Sequence, residues 1–598
     1  MAVSTAQHDV PAGPTGPAGT AVRYQRVAGW VRWRLRAAPL TVFWVLIVAI
    51  LVLPIVLFLL VAFSPRLFAQ GPQWFTLSAF QQALRGPLLR GLLDSLGVGV
   101  AAALASAAIG FGVAWVVLRT DLPGRRLWSG SMFALLLAPS YLIALGWERL
   151  LEPSGVLDVL GWHSPALRNV VYGPVGIIVV LTVKGIPFAY LAISTALRGL
   201  GEQFESAVRV HGGGAGAATR MTLSLLAPAI WSALAIVFAE SVSDFGVAST
   251  LANDSHFPVA TFVLYNAVDN FPVQFPVAAA VGWLLMAMAG LALLAQGRAL
   301  RGRSYRVLSA RSRPVHRLRL RARTKACLLL AMAALLVISV GIPVFGAVSA
   351  SLMNGLGSFA SSHGFTLLNY RHALSSPDLR GPLLYSAKLA TITACVTVVL
   401  AMISARVLVS RGAKLSARGL DLLLLTAVAL PGIVFAAGYI FTYNLPAVNS
   451  LGVRLYGTTT LLVMGYLATA LPSTSRVLTG SVSQVQESLR EAARVHGLGP
   501  LVSWVRAVLP VLMRPLIGAW VLTFAGTLLE LPVSQLLYPP DHPPVSVGIE
   551  HALSTYDFGG GTAMEVLAVL FALGVVGVAW GLFRLLAPTG WRRMGRTT

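Results

Sequence analysis

TVFWVLIVAILVLPIVLFLLVAF, residues 41–63, runs for 23 positions without a charged side chain. A helix rises 1.5 Å per residue and a hydrocarbon core is about 30 Å thick, so about 20 apolar residues cross it. This stretch is long enough to span and too long for the apolar core of a cleaved signal peptide. Arg23, Arg26, Arg32, Arg34 and Arg36 precede it, which makes it a start-transfer anchor whose N-terminus stays in the cytoplasm. Residues 1–22 are rich in Pro, Gly, Ala and Thr with no apolar period, and residues 1–36 as a whole are expected to form a disordered basic tail.

The rest of the chain repeats that pattern. Of 598 residues, 56% are hydrophobic and 11% charged, with mean hydropathy +0.76; a soluble domain carries about 25% charged residues. Twelve apolar runs lie near 41–63, 93–118, 129–147, 171–194, 222–243, 275–296, 326–352, 383–409, 420–442, 458–475, 513–530 and 563–587. Pro139 and Pro431 fall inside two of them and are expected to kink or interrupt them. The fold class is therefore an all-α membrane protein of twelve transmembrane helices. Counting spans from a cytoplasmic N-terminus puts 119–128, 195–221, 297–325, 410–419, 476–512 and the C-terminus inside. Those segments hold much of the excess of 45 Lys and Arg over 21 Asp and Glu, as the positive-inside rule requires. Segment 297–325 has no Asp or Glu; it reads as a topology-fixing linker against anionic headgroups, with membrane lipid rather than nucleic acid as its partner. Cys327 and Cys395, both in apolar stretches, imply neither a disulfide framework nor a metal site.

Two copies of one unit flank that linker. FTLSAFQQALRGPLLRGLLDSL from Phe75 matches FTLLNYRHALSSPDLRGPLLYSA from Phe365; SAVRVHG, 206–212, matches EAARVHG, 491–497; Phe238 with Asp244 six residues on matches Phe524 with Glu530. Each unit has an even number of spans, so the repeats are parallel. The expected layout is a tail, 1–36; a first six-span unit, 37–297; the linker, 298–325; a second six-span unit, 326–590; and a cytoplasmic tail, 591–598.

EAARVHGLGPLVSWVRAVLPVLMRP, residues 491–515, resembles the cytoplasmic loop motif of binding-protein-dependent ATP-binding-cassette importer permeases, with Glu491, Ala492, Ala493, Gly497, Leu509 and Pro510 at the motif positions. The resemblance implies a transport subunit that is not itself an enzyme and whose loops dock on an ATPase. The residues suit that role independently. Glu491 and two alanines make a good helix start, and Gly497 can take a left-handed cap. The docking set is Ser206, Ala207, Arg209, His211 and Gly212 in the first loop, and Glu491, Ala492, Ala493, Arg494, His496 and Gly497 in the second. Ser206 stands where the second copy has Glu491, and glycines follow at 212, 213, 214 and 216, so the first helix is expected to be shorter or softer. The lysines, Lys184, Lys325, Lys388 and Lys414, none after a glycine, leave no phosphate-binding loop. ATP is thus expected to be used by a partner, two copies of an ATPase subunit, with no cofactor on this chain, and the resemblance adds an extracytoplasmic substrate-binding protein.

Within that family, LLLAPSYLIALGW (135–147), SDFGVAST (243–250) and LELPVSQLL (529–537) resemble stretches of the fused twelve-span ferric-iron permeases. Thiamine and phosphonate permeases share the layout, and a twelve-span secondary transporter is the reading from another class. The resemblance implies a multi-pass protein of the bacterial inner membrane with both termini cytoplasmic. Glu240, Asp244 and Glu530 are the substrate-path candidates, since intramembrane carboxylates face the bundle or a cavity and hard cations take oxygen ligands; no fixed metal site is expected. The competing roles are helix caps or ion pairs, and Lys184 would instead suit an anion or a paired, snorkelling position.

Overall fold

The computed structural model describes residues 40–300, 317–353, 365–410 and 414–586, apart from 154–155, 160, 163, 201, 451, 453 and 486. The expected tails at 1–36 and 591–598 lie outside the described residues, as does most of the linker. The chain divides into two units, 1–50 and 51–598. Of the first, residues 40–50 are helical; the second carries the remaining helices and the candidate site.

Among the described residues there is no strand, and ten helices are long and apolar enough to cross a membrane. They are Leu40–Val61, Gly86–Arg119, Pro174–Gly199, Gly216–Ser243, Phe275–Arg298, Ala322–Ser351, Pro377–Val409, Thr459–Val482, Trp504–Leu528 and Phe558–Leu585. The two remaining apolar runs are broken helices. Arg125–Leu137 meets Ser140–Leu151 at 98°, and Lys414–Val428 meets Gly432–Tyr443 at 108°. The breaks fall at the two expected prolines, and they are sharper than a kink. Proline offers no N–H and disfavours helical backbone in the residue before it; Ala138 and Pro139 are both extended, with ψ of 121° and 148°.

The broken helices set the packing. Ser140–Leu151 packs on Ile342–Ser351 of the seventh span, and Gly432–Tyr443 packs on Leu53–Val61 of the first, so each half lends a helix to the other. Backbones touch at both crossings. A Cβ on Gly146 would overlap the Pro343 carbonyl, and one on Gly438 would sit 2.9 Å from the Pro54 carbonyl oxygen.

At the end of the bundle that carries the loop 120–124, a parallel bridge joins Thr120 to Leu318. The Leu318 N–H donates to the Arg119 carbonyl at 2.9 Å, and the Asp121 N–H donates to the Leu318 carbonyl at 3.2 Å. Asp121 closes the clasp, accepting from the Leu320 N–H at 3.1 Å and from Lys325 Nζ at 2.8 Å. The Lys325 bond first, then the Leu320 bond, hold its carboxyl below the ordinary 3.8. A depressed carboxyl stabilises the fold above its ordinary value and loses that contribution as pH falls through the depressed one. Asp121→Asn should therefore speed amide exchange at Leu318 and Leu320 by about three- to tenfold at neutral pH, and the difference from wild type should vanish in acid. A difference that persists well below pH 3.8 would assign the clasp to the backbone bridge alone.

Candidate functional site

The two matched loops are amphipathic helices, Glu202–Val210 and Glu487–Val495, of 9 residues each. The first is neither shorter than the second nor differently capped, contrary to the expectation drawn from its glycines. Nor does Glu491 start its helix. The helix begins at Glu487, four residues upstream, and the first loop's helix begins at Glu202, four residues ahead of Ser206.

Both helices end alike. Gly212 and Gly497 are left-handed, with φ of 78° and 79°, and the N–H groups of Gly213 and Leu498 donate back to the carbonyls of Val208 and Ala493 at 2.8 and 3.2 Å, as left-handed caps do. The motif histidines join the cap: Nδ1 lies 2.8 Å from the Ala207 carbonyl oxygen in His211 and 2.8 Å from the Ala492 oxygen in His496. A carbonyl only accepts, so Nδ1 carries the proton and Nε2 faces outward. Ser206, Ala207, Glu491, Ala492 and Arg494 are exposed and Ala493 half-buried; Arg209 lies on the first helix, its side chain outside the described ones. Sequence reasoning passed over the valine before each histidine, although the matched Arg-Val-His-Gly marks it. Val210 is 83% and Val495 85% exposed, so each helix tip presents an apolar knob.

The substrate-path candidates share one cavity of about 400 Å³, lined by Lys184, Glu240 and Asp244 of the first half and Glu530 of the second, with both helix breaks at its wall. Their positions differ. Asp244 accepts from the Val247 N–H at 2.8 Å and from the Ser140 hydroxyl. Glu530 accepts from the Val533 N–H at 2.9 Å and the Ser534 N–H at 3.1 Å. Both are helix caps. Glu240 is exposed to the cavity. Lys184 Nζ donates to the carbonyls of Ala138, at 2.7 Å, and Leu136, at 3.4 Å; these are the groups left without helical partners at the first break. Among the described residues no group of three or more His, Cys, Asp or Glu is placed to hold a metal ion.

The two halves repeat further contacts behind Asp244 and Glu530. The Ala260 N–H donates to Ser95 Oγ, and the Val545 N–H to Ser386 Oγ, each at 2.8 Å. Thr261 Oγ1 donates to the Asp244 carbonyl at 2.9 Å, and Ser546 Oγ to the Glu530 carbonyl at 2.6 Å. Ser95 and Ser386 are the serines that end the first matched stretch, a signal present in the sequence and not assigned a role there.

No family model matches the chain. It is 23% identical over 472 residues, 77% of this chain and 81% of the relative, to a probable ABC transporter permease protein of Sinorhizobium fredii. It is 22% identical over 483 residues, 78% of this chain and 67% of the relative, to a ferric transport system permease protein of Actinobacillus pleuropneumoniae. A sulfate transport system permease protein of Escherichia coli is 26% identical over 201 residues, 32% of this chain and 69% of the relative. These likenesses, on an all-helical membrane fold, support a transport subunit of the ABC permease class built as the fused ferric type.

Proposed function

From its likeness to these permeases, we infer that the chain is the membrane-spanning subunit of an ATP-binding-cassette importer that carries ferric iron from an extracytoplasmic binding protein into the cell. The observation that carries the class is the pair of docking helices, two exposed amphipathic turns with the same cap, the same histidine bond and the same apolar knob. Each fits a groove on one ATPase subunit, so two copies of that subunit are the partners. The shared hydrogen bonds at Ser95 and Ser386, and at Asp244 and Glu530, support the reading as two parallel six-span units. Coupling then follows from chain connectivity. Glu202–Val210 lies between Pro174–Gly199 and Gly216–Ser243, both of which contribute residues to the cavity wall, so a push on the tip is carried to Lys184 and Glu240.

The charge of the cavity favours a cation as the cargo. The cavity sets three carboxylates against one lysine whose ammonium already serves two carbonyls, so a sulfate or molybdate dianion would meet repulsion that a cation would not. Oxygen donors suit a hard cation, and exposed Glu240 is the group that meets it.

Loss of the gene should stop growth under iron limitation while leaving growth without thiamine, or on a phosphonate as sole phosphorus source, unchanged. The purified complex should contain an ATPase subunit. A defect confined to thiamine or phosphonate would remove the iron assignment and keep the importer class; uptake driven by an ion gradient without any ATPase would remove the class.

A further inference from the structure

The described end of the linker, residues 317–325, reads RLRLRARTK. Arg317, Arg319, Arg321 and Arg323 are exposed, and among the described residues none of them is in an ion pair. The nearest acid in the clasp, Asp121, has one oxygen on the Leu320 N–H and the other on Lys325, so it neutralises none of the four. Residues 317–321 precede the helix and are extended around the bridge at Leu318. An extended chain sends alternate side chains to opposite faces, which separates Arg317, Arg319 and Arg321 from Leu318 and Leu320. Leu318 is 51% exposed. The next element is a candidate span, Ala322–Ser351, so the strip lies where a hydrocarbon core gives way to headgroups.

A topology signal needs only positive charge near a span. Here the backbone is fixed as well, through the Thr120 bridge, the Asp121 carboxylate and Lys325, and the loop it is fixed to is itself anchored by the buried Arg119, whose Nη2 donates to the Leu200 carbonyl at 3.0 Å. Guanidinium groups bind phosphate through paired N–H donors, and a fixed backbone removes some of the ordering cost of lining them up. We propose that residues 317–323 form a binding site for the phosphate headgroups of anionic phospholipids, with Arg317, Arg319 and Arg321 as donors, Arg323 beside them at the helix start, and Leu318 in the acyl boundary. Leu200 stands just ahead of the first docking helix, so a lipid held here braces the same loop that the helix tip leaves. The site stands independently of which cargo the cavity carries.

The test uses the full-length chain, delipidated in a neutral detergent and offered phosphatidylglycerol or phosphatidylcholine, with bound lipid counted by native mass spectrometry. Wild type should retain phosphatidylglycerol over phosphatidylcholine by about tenfold, and inorganic phosphate should not displace it. The fourfold change R317K, R319K, R321K and R323K keeps the charge that sets topology and should lower retention several-fold by removing the forked donors. D121N keeps every arginine and should also lower it, by releasing the strip. Equal retention of the two lipids by wild type would overturn the proposal. Retention untouched by both the lysine set and D121N would reduce the strip to a topology signal, and displacement by free phosphate would make it a site for a soluble anion.

Discussion

Gly497→Glu is expected to abolish transport while the chain still inserts in the membrane at wild-type levels. Gly497 sits at φ 79°, and a side chain there costs on the order of 1 kcal/mol, too little to unfold a twelve-run membrane protein. No atom stands within 4 Å of the position a Cβ would take, so nothing inside the chain objects to the glutamate. The damage falls outside, where a charged side chain beside Val495 and His496 would keep the helix tip from seating. ATPase recovered with the purified chain should fall at least tenfold, about 1.4 kcal/mol of docking free energy. Gly212 has φ 78° and the same open space, so Gly212→Glu should cost about as much, despite the divergent sequence of the first loop. A variant of either glycine that keeps both ATPase and transport would show that its loop is not a docking element.

Glu240→Gln should lower iron uptake by tenfold or more, with assembly and basal ATPase activity kept. The change removes a charge exposed to the cavity and breaks no hydrogen bond drawn by its neighbours. Asp244→Asn and Glu530→Gln should behave differently. Each keeps an acceptor oxygen for its cap and loses the charge at the helix start, at about 0.3–1 kcal/mol, so thermal stability should fall slightly along with uptake. The triple change to Gln, Asn and Gln should then exceed Glu240→Gln in its effect on stability more than in its effect on transport. Uptake unchanged by Glu240→Gln, measured with radioactive iron in intact cells, would remove the cavity from the iron path.

Much of this architecture is legible in the sequence because one physical requirement writes it there. Every backbone polar group inside lipid must be satisfied by its own helix, so each apolar run of sufficient length corresponds to a helix or a broken helix, and Pro139 and Pro431 mark the breaks. The matched loops are legible for a similar reason: a left-handed cap needs glycine, and both have it. The features that stayed hidden depend on distant partners. Gly146 and Gly438 look like any glycine in an apolar run, and nothing nearby in sequence names Pro343 or Pro54 as the backbone each one meets. Lys184 offers a charge to the reader, but its role is set by two carbonyls about 46 residues upstream, freed by a proline. Asp244 and Glu530 are acids at matched positions, and only the turn after each one shows it to be a cap.

The two crossings also bear on what the linker separates. The natural cut in the sequence is the linker, which leaves six runs on either side. Ile342–Ser351 nevertheless sits on the first half's broken helix through bare backbone at Gly146, and Leu53–Val61 on the second half's through Gly438. Each opening helix also packs within its own half, Ile342–Ser351 on Phe558–Leu586 and Leu53–Val61 on Phe275–Leu300. Each is therefore a beam shared by the two halves, and parting the chain at the linker would break both crossings at once.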